Sequence, residues 1–89
     1  MERTVTITDE AGMHARPASK FSKKAAEFDN DITIAYNGKE ANLKSIMGLM
    51  SLGIPQNGEA TLKVEGKNAE EVLDVLEDTL VELGLTDKK

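Results

Sequence analysis

The stretch Asp31-Ile32-Thr33-Ile34-Ala35-Tyr36-Asn37-Gly38-Lys39-Glu40-Ala41-Asn42-Leu43 decides the fold class. Ile32, Ile34 and Tyr36 alternate with small or polar residues, the period of a half-buried strand running from Asp31 to Tyr36. Asn37-Gly38 then supplies the two positive-φ positions that a type I′ turn needs. The returning strand is Lys39–Leu43, with Ala41 and Leu43 directed inward. An antiparallel hairpin therefore lies near the middle of this 89-residue chain.

Upstream of the hairpin, Thr4–Thr8 also alternates, with Val5 and Ile7 on one side and threonines on the other. A polar loop, Asp9–Met13, contains Gly12 and leads to a helix from Ala15. The apolar face of that helix is Ala18, Phe21, Ala25 and Phe28. Pro17 fits its first turn, where the missing N–H costs nothing. Downstream, Ser45–Leu52 reads as a short helix with Ser45 as N-cap and Gly53 as its stop. Glu59–Glu65 alternates through Ala60, Leu62 and Val64. Asn68 and Glu71 are spaced as a capping box opening a last helix, whose stripe is Ala69, Val72, Leu73, Leu76, Leu80 and Leu83. Gly84-Leu85 predicts a Schellman ending, and Thr86–Lys89 a loose tail.

The order β-α-β-β-α-β-α carries no repeat or linker, so one domain over residues 1–89 is expected. Strands with one apolar face need cover on that side only. The predicted architecture is α+β, a two-layer open-faced sandwich of a four-stranded antiparallel sheet with three helices on one face. The right-handed crossover rule places the fourth strand between the first and second, giving order 1-4-2-3.

Composition narrows the chemistry. The absence of cysteine removes disulfides, thiolate ligands and thiol nucleophiles. A net charge of −5 and three aromatic residues argue against nucleic-acid binding. No signal-peptide pattern opens the chain and no apolar run is long enough to span a bilayer, so a cytoplasmic protein without membrane insertion is expected. Charge is segregated. Arg16, Lys20, Lys23 and Lys24 lie in an acid-free stretch from Ala11 to Lys24, whereas Glu70, Glu71, Asp74, Glu77, Asp78 and Glu82 lie in a base-free one from Ala69 to Leu85. These are either two solvated helix faces or, for the basic one, a docking face for an acidic partner or a phosphate.

His14 is the single histidine. It follows Gly12-Met13 and stands just before a helix N-terminus, whose free N–H groups and partial positive charge attract anions. Arg16, two residues on, carries a fork suited to phosphate oxygens. A neutral imidazole is a competent nucleophile. Nucleophile, amide cradle and arginine together suit a transferable phosphoryl group. Metal binding fits poorly, since no second histidine, no cysteine and no acid stands nearby in the sequence. Ser45 is a second candidate: a phosphate there would be well tolerated at a helix N-terminus. The short helix is apolar almost all round. Leu49 and Leu52 are expected inward, with Ile46, Met47 and Met50 in an exposed patch adaptable to several partners.

The segment Gly12-Met13-His14-Ala15-Arg16-Pro17-Ala18-Ser19 resembles the HPr family of histidine-containing phosphocarriers of the sugar phosphotransferase system. Asn42-Leu43-Lys44-Ser45-Ile46-Met47-Gly48-Leu49-Met50-Ser51-Leu52-Gly53 resembles the regulatory-serine segment of its low-GC Gram-positive members, and Tyr36-Asn37-Gly38-Lys39 also fits. The resemblance implies a carrier and cosubstrate, not an independent enzyme, needing no cofactor and acting as a monomer. His14 would be phosphorylated on Nδ1 by phosphorylated enzyme I and would pass the group to an enzyme IIA. Arg16 would contact the phosphoryl group, and the Ala15 and Arg16 amides would line the site. Ser45 would be the target of HPr kinase/phosphorylase, and the Ser45-phosphorylated form would serve a catabolite-control transcription regulator. Lys20, Lys23, Ile46, Met47 and Met50 would form the shared docking face. Met13 departs from the commoner Ile or Leu and also occurs in the nitrogen-related branch, which stays as an alternative. The other is a purely regulatory module acting through Ser45, although paralogues of that kind lack the histidine.

Overall fold

The computed structural model describes residues 1–87. Its elements are β1 (Glu2–Thr6), α1 (Ala15–Ala25), β2 (Ile32–Tyr36), β3 (Lys39–Asn42), α2 (Ile46–Ser51), β4 (Glu59–Val64) and α3 (Ala69–Glu82). The four strands form one antiparallel sheet in the order β1-β4-β2-β3, as the crossover argument required. The three helices cover one face. Val5, Ile32, Ile34, Leu62 and Val64 point into the layer between sheet and helices, where they meet Phe21, Leu49, Leu73, Leu76 and Leu80. The opposite face is polar, and Thr4 and Thr61 share a hydroxyl hydrogen bond of 3.1 Å across it.

The local signals act as read in most places. Asn37 and Gly38 have φ of 53° and 81°, the double left-handed step of a type I′ turn. At the end of α3, the Leu85 amide donates to the Leu80 carbonyl (2.9 Å) and the Gly84 amide to that of Val81 (3.0 Å). Those two bonds, with Gly84 at φ 74°, make a complete Schellman motif, and Leu85 is buried beneath it.

Three expectations are corrected. Asn68 is no capping-box residue: it adopts φ 59°, ψ 31°, and its side chain caps nothing. A capping side chain reaches the N2 or N3 amide from an extended backbone, and the left-handed conformation of the β4–α3 reversal denies it that geometry. The reversal is held instead by Asn30, whose amide donates to the Glu65 and Lys67 carbonyls at 2.7 and 2.8 Å. The first strand is Glu2–Thr6, not Thr4–Thr8, because the Ile7 and Thr8 amides leave the ladder for the Gly58 and Leu85 carbonyls. Thr86 and Asp87 are not loose: the Thr86 hydroxyl donates to the Thr6 carbonyl (2.6 Å) and the Thr8 hydroxyl to Asp87 (3.2 Å). The rest of that expected tail, residues 88–89, lies outside the described residues.

Candidate functional site

The site begins with backbone. Gly12 has φ +65°, and a Cβ there would stand 2.5 Å from the Ile54 carbonyl oxygen and 2.9 Å from the Pro55 Cα. Only glycine lets the Asp9–Met13 loop lie this close to the 54–55 segment. The loop is then pinned by the Met13 amide, which donates to the Ile54 carbonyl at 2.9 Å, while the Met13 side chain is buried.

The next residue, His14, is therefore delivered as the extended N-cap of α1 (φ −98°, ψ 174°). Its own amide is used by the Gly12 carbonyl (3.1 Å), and its carbonyl accepts from the Ala18 amide (3.0 Å). Its imidazole does not cap the helix and is 45% exposed. The Ala15 and Arg16 amides precede any intrahelical acceptor, and Pro17 has none to offer. Two helix-start amides without an intrahelical acceptor thus follow directly on an exposed imidazole. An open cleft of about 220 Å³ is lined here by Asp9, His14, Arg16, Pro17, Lys20 and Leu83.

Two of those lining residues were not legible as site residues. Leu83 comes from the far end of α3 and gives the cleft an apolar wall. Asp9 corrects the expectation drawn from the sequence that no acid stands near the histidine. Its Oδ2 lies 3.4 Å from His14 Nε2, although the two residues are five positions apart in the chain. The turn brings them together: the Gly12 amide donates to the Asp9 carbonyl (2.8 Å), and the Ala11 amide donates to Asp9 Oδ1 (3.0 Å). An Asp closing a turn on its own i+2 amide was the available signal. Among the described residues no group of three His, Cys, Asp or Glu side chains is placed to hold a metal ion.

Ser45 is the N-cap of α2, its Oγ accepting from the Gly48 amide at 3.1 Å. The residue is exposed. Beyond it, Met47 is 84% exposed and Ile46 and Met50 also face outward, while Leu49 and Leu52 are buried. The two faces of the short helix divide as expected. Lys20 and Lys23 are exposed on α1, which packs against α2. Lys24 is turned to Glu27 (3.1 Å). On the acidic helix, Arg3 of β1 reaches Asp74 (2.6 Å) and Glu77 (3.0 Å). Chiefly the hydrogen bond to Asp74 raises the Arg3 pKa above its ordinary value; desolvation opposes it, and the bond to Glu77 adds to the rise. Part of the α3 charge is therefore consumed inside the domain. α1 is tied to the hairpin by Ser22, a buried serine whose hydroxyl donates to the Leu43 carbonyl at 2.7 Å.

Fold and site together define a class: a small open-faced sandwich that offers a solitary, solvent-facing imidazole at the mouth of a helix. The chain belongs to the HPr family of the phosphotransferase system, whose family model, "PTS HPr component phosphorylation site", matches residues 1–82. Among solved structures it is similar to the histidine-containing phosphocarrier protein of a Mycoplasma, with 36% identity, a TM-score of 0.95, and 99% of this chain and 100% of that one covered. The phosphocarrier protein HPr of Bacillus anthracis is 40% identical, with a TM-score of 0.82 and 89% and 94% covered. Crh, the Bacillus subtilis catabolite repression protein, solved as a domain-swapped dimer, is 38% identical, with a TM-score of 0.72 and 88% and 90% covered. The family's part in the phosphotransferase system is that of a phosphocarrier, not a catalyst. Among the described residues no helix is long and apolar enough to cross a membrane.

Proposed function

We propose that this chain accepts a phosphoryl group on His14 Nδ1 from phosphorylated enzyme I and passes it to an enzyme IIA. The observation that carries the reading is the exposed imidazole set beside the unpaired Ala15 and Arg16 amides. Nε2 is turned toward Asp9, so Nδ1 is the nitrogen left to attack. The helix N-terminus and the Arg16 guanidinium then face the transferred oxygens, where partial and full positive charge are each favourable. The shallow, open cleft suits a group handed between proteins, since neither partner has to leave a deep pocket.

Enzyme I and enzyme IIA are read as docking on Ile46, Met47 and Met50 with Lys20 and Lys23 beside them. Ser45 stands at the edge of that patch. Phosphorylation there by HPr kinase/phosphorylase would set about −1.5 to −2 charges beside the apolar side chains and so disfavour enzyme I. The same modified face would be the one offered to a catabolite-control transcription regulator. The continuous core cluster favours one domain over residues 1–89, and we read it as a cytoplasmic monomer. The domain-swapped state belongs to Crh, and sedimentation of this chain at increasing concentration distinguishes the two.

The direct test is incubation with phosphoenolpyruvate and purified enzyme I. An acid-labile label that His14→Ala abolishes and Ser45→Ala retains is the expected result. An unlabelled wild-type protein refutes the carrier reading. Incubation with ATP and the kinase should separately give an acid-stable mark that Ser45→Ala removes.

A further inference from the structure

We infer that Asp9 is a positioning residue for phosphoryl transfer, holding the His14 proton on Nε2 and facing the charge that the ring acquires when Nδ1 is loaded. The inference rests on the carrier reading of His14 and assigns a part to a residue outside the helix and the serine segment.

The carboxylate is itself well placed. Asp9 Oδ1 is occupied by the Ala11 amide at 3.0 Å, and Oδ2 is left to face His14 Nε2 at 3.4 Å. The Asp9 side chain is only 27% exposed, so its position is set by the turn and not by free rotation in water. The 3.4 Å separation is longer than a formed N–H···O bond, so the carboxylate faces the ring as a nearby anion and acceptor, not as a closed hydrogen-bond partner. A carboxylate can only accept, so it favours the tautomer with the proton on the nitrogen it faces. Nδ1 then keeps its lone pair, on the side of the ring not engaged by Asp9.

The balance of the step shows what Asp9 adds. The neutral ring gives its Nδ1 lone pair to phosphorus. The bond from phosphorus to the donor's phosphohistidine nitrogen breaks, and its electron pair returns to that nitrogen. No proton moves. The His14 ring, phosphorylated on Nδ1 and still protonated on Nε2, is formally cationic, and Asp9 is the anion beside it. A carboxylate holding an imidazole in one tautomer and stabilising its charged form is the arrangement met in the catalytic triad, there serving proton transfer.

Asp9→Asn separates this role from a merely structural one. The Ala11 amide needs an acceptor and claims the single side-chain oxygen of Asn. The NH₂ group is left toward Nε2, and as a donor it demands a lone pair there. The proton is thereby driven to Nδ1, the attacking atom, while the turn survives.

The experiment uses the full chain, ¹⁵N-labelled on histidine, in its unphosphorylated form at a pH where the imidazole is neutral. Ring ¹⁵N shifts should report the Nε2–H tautomer in the wild type and a shift toward Nδ1–H in Asp9→Asn. Initial transfer from phosphorylated enzyme I should fall about fivefold in that variant, the factor carried by one hydrogen bond of about 1 kcal/mol. Asp9→Ala, which offers neither acceptor nor donor, should fall between the two in tautomer balance. Backbone amide spectra confirm that each variant folds. Unchanged ring shifts and transfer in a folded Asp9→Asn overturn the proposal and leave the carrier reading standing. A wild type that takes no phosphoryl group fails the carrier reading, and this inference with it.

Discussion

Gly12→Ala is the sharpest structural test, because two separate costs meet at one atom. The first is conformational: φ is +65°, and a left-handed backbone costs an L-residue about 1–2 kcal/mol. The second is steric. The new methyl would sit 2.5 Å from the Ile54 carbonyl oxygen and 2.9 Å from the Pro55 Cα, and both obstacles are backbone. Neither can rotate away, so the loop must lift, at an overpacking cost of about 1–3 kcal/mol. The total loss is roughly 2–5 kcal/mol. Gly38→Ala is the matched control. Its φ is +81°, yet nothing lies within 4 Å of the added Cβ, so only the conformational cost of about 1–2 kcal/mol remains. Urea unfolding of both variants gives the difference directly, and thermal melts should separate them by roughly 4–8 °C per kcal/mol. The Gly12 variant should also move the amide resonances of residues 12–16 and 54–55. Equal losses in the two variants, within about 0.5 kcal/mol, would refute the close-approach argument and with it the account of how His14 is held.

On the carrier reading, Arg16→Glu should slow phosphoryl transfer by at least about tenfold with the melting temperature unchanged, since it sets a carboxylate where the phosphoryl oxygens are proposed to rest and the residue is exposed. Ser22→Ala leaves the Leu43 carbonyl without its buried donor and should cost about 1–3 kcal/mol in urea unfolding, without a direct effect on transfer. Leu49→Ala should cost about 2–5 kcal/mol, whereas the exposed Met47→Ala should stay within about 0.5 kcal/mol and instead weaken enzyme I binding by calorimetry. Arg3→Gln should cost no more than about 1 kcal/mol, its ion pairs being partly solvated. Because the Arg3 pKa is raised, that contribution is complete below the ordinary arginine range and is lost only as pH climbs through the higher folded value.

Periodicity and turn chemistry carry the architecture. The type I′ hairpin, the Ser45 cap, the Schellman ending and the strand order all follow from short-range patterns with few alternatives. The departures arise where a distant segment competes. Asn68 sits in a capping-box spacing, but the tie from Asn30 sets the path of the reversal first. β1 ends at Thr6 because the partner carbonyls of Gly58 and Leu85 exist only in the folded chain. At the site, His14, Arg16 and Ser45 are visible because a helix start has a local signature. Asp9 and Leu83 reach His14 by a turn and by the packing of α3, and spacing along the chain carries neither distance.

The strand order also governs when this protein can come into being. β4 lies between β1 and β2, so Glu2 must wait for Lys63 and Ile32 for Val64 before either central ladder can close. The loop that delivers His14 waits as well, for the carbonyl of Ile54. A nascent chain on the ribosome, lengthening at about 5–20 residues per second, carries the histidine long before it carries the frame that aims it. Assembly of the sheet and arming of the site are thus one late event. A truncated or half-made copy has the histidine without the frame that positions it, and on the carrier reading it should take no phosphoryl group.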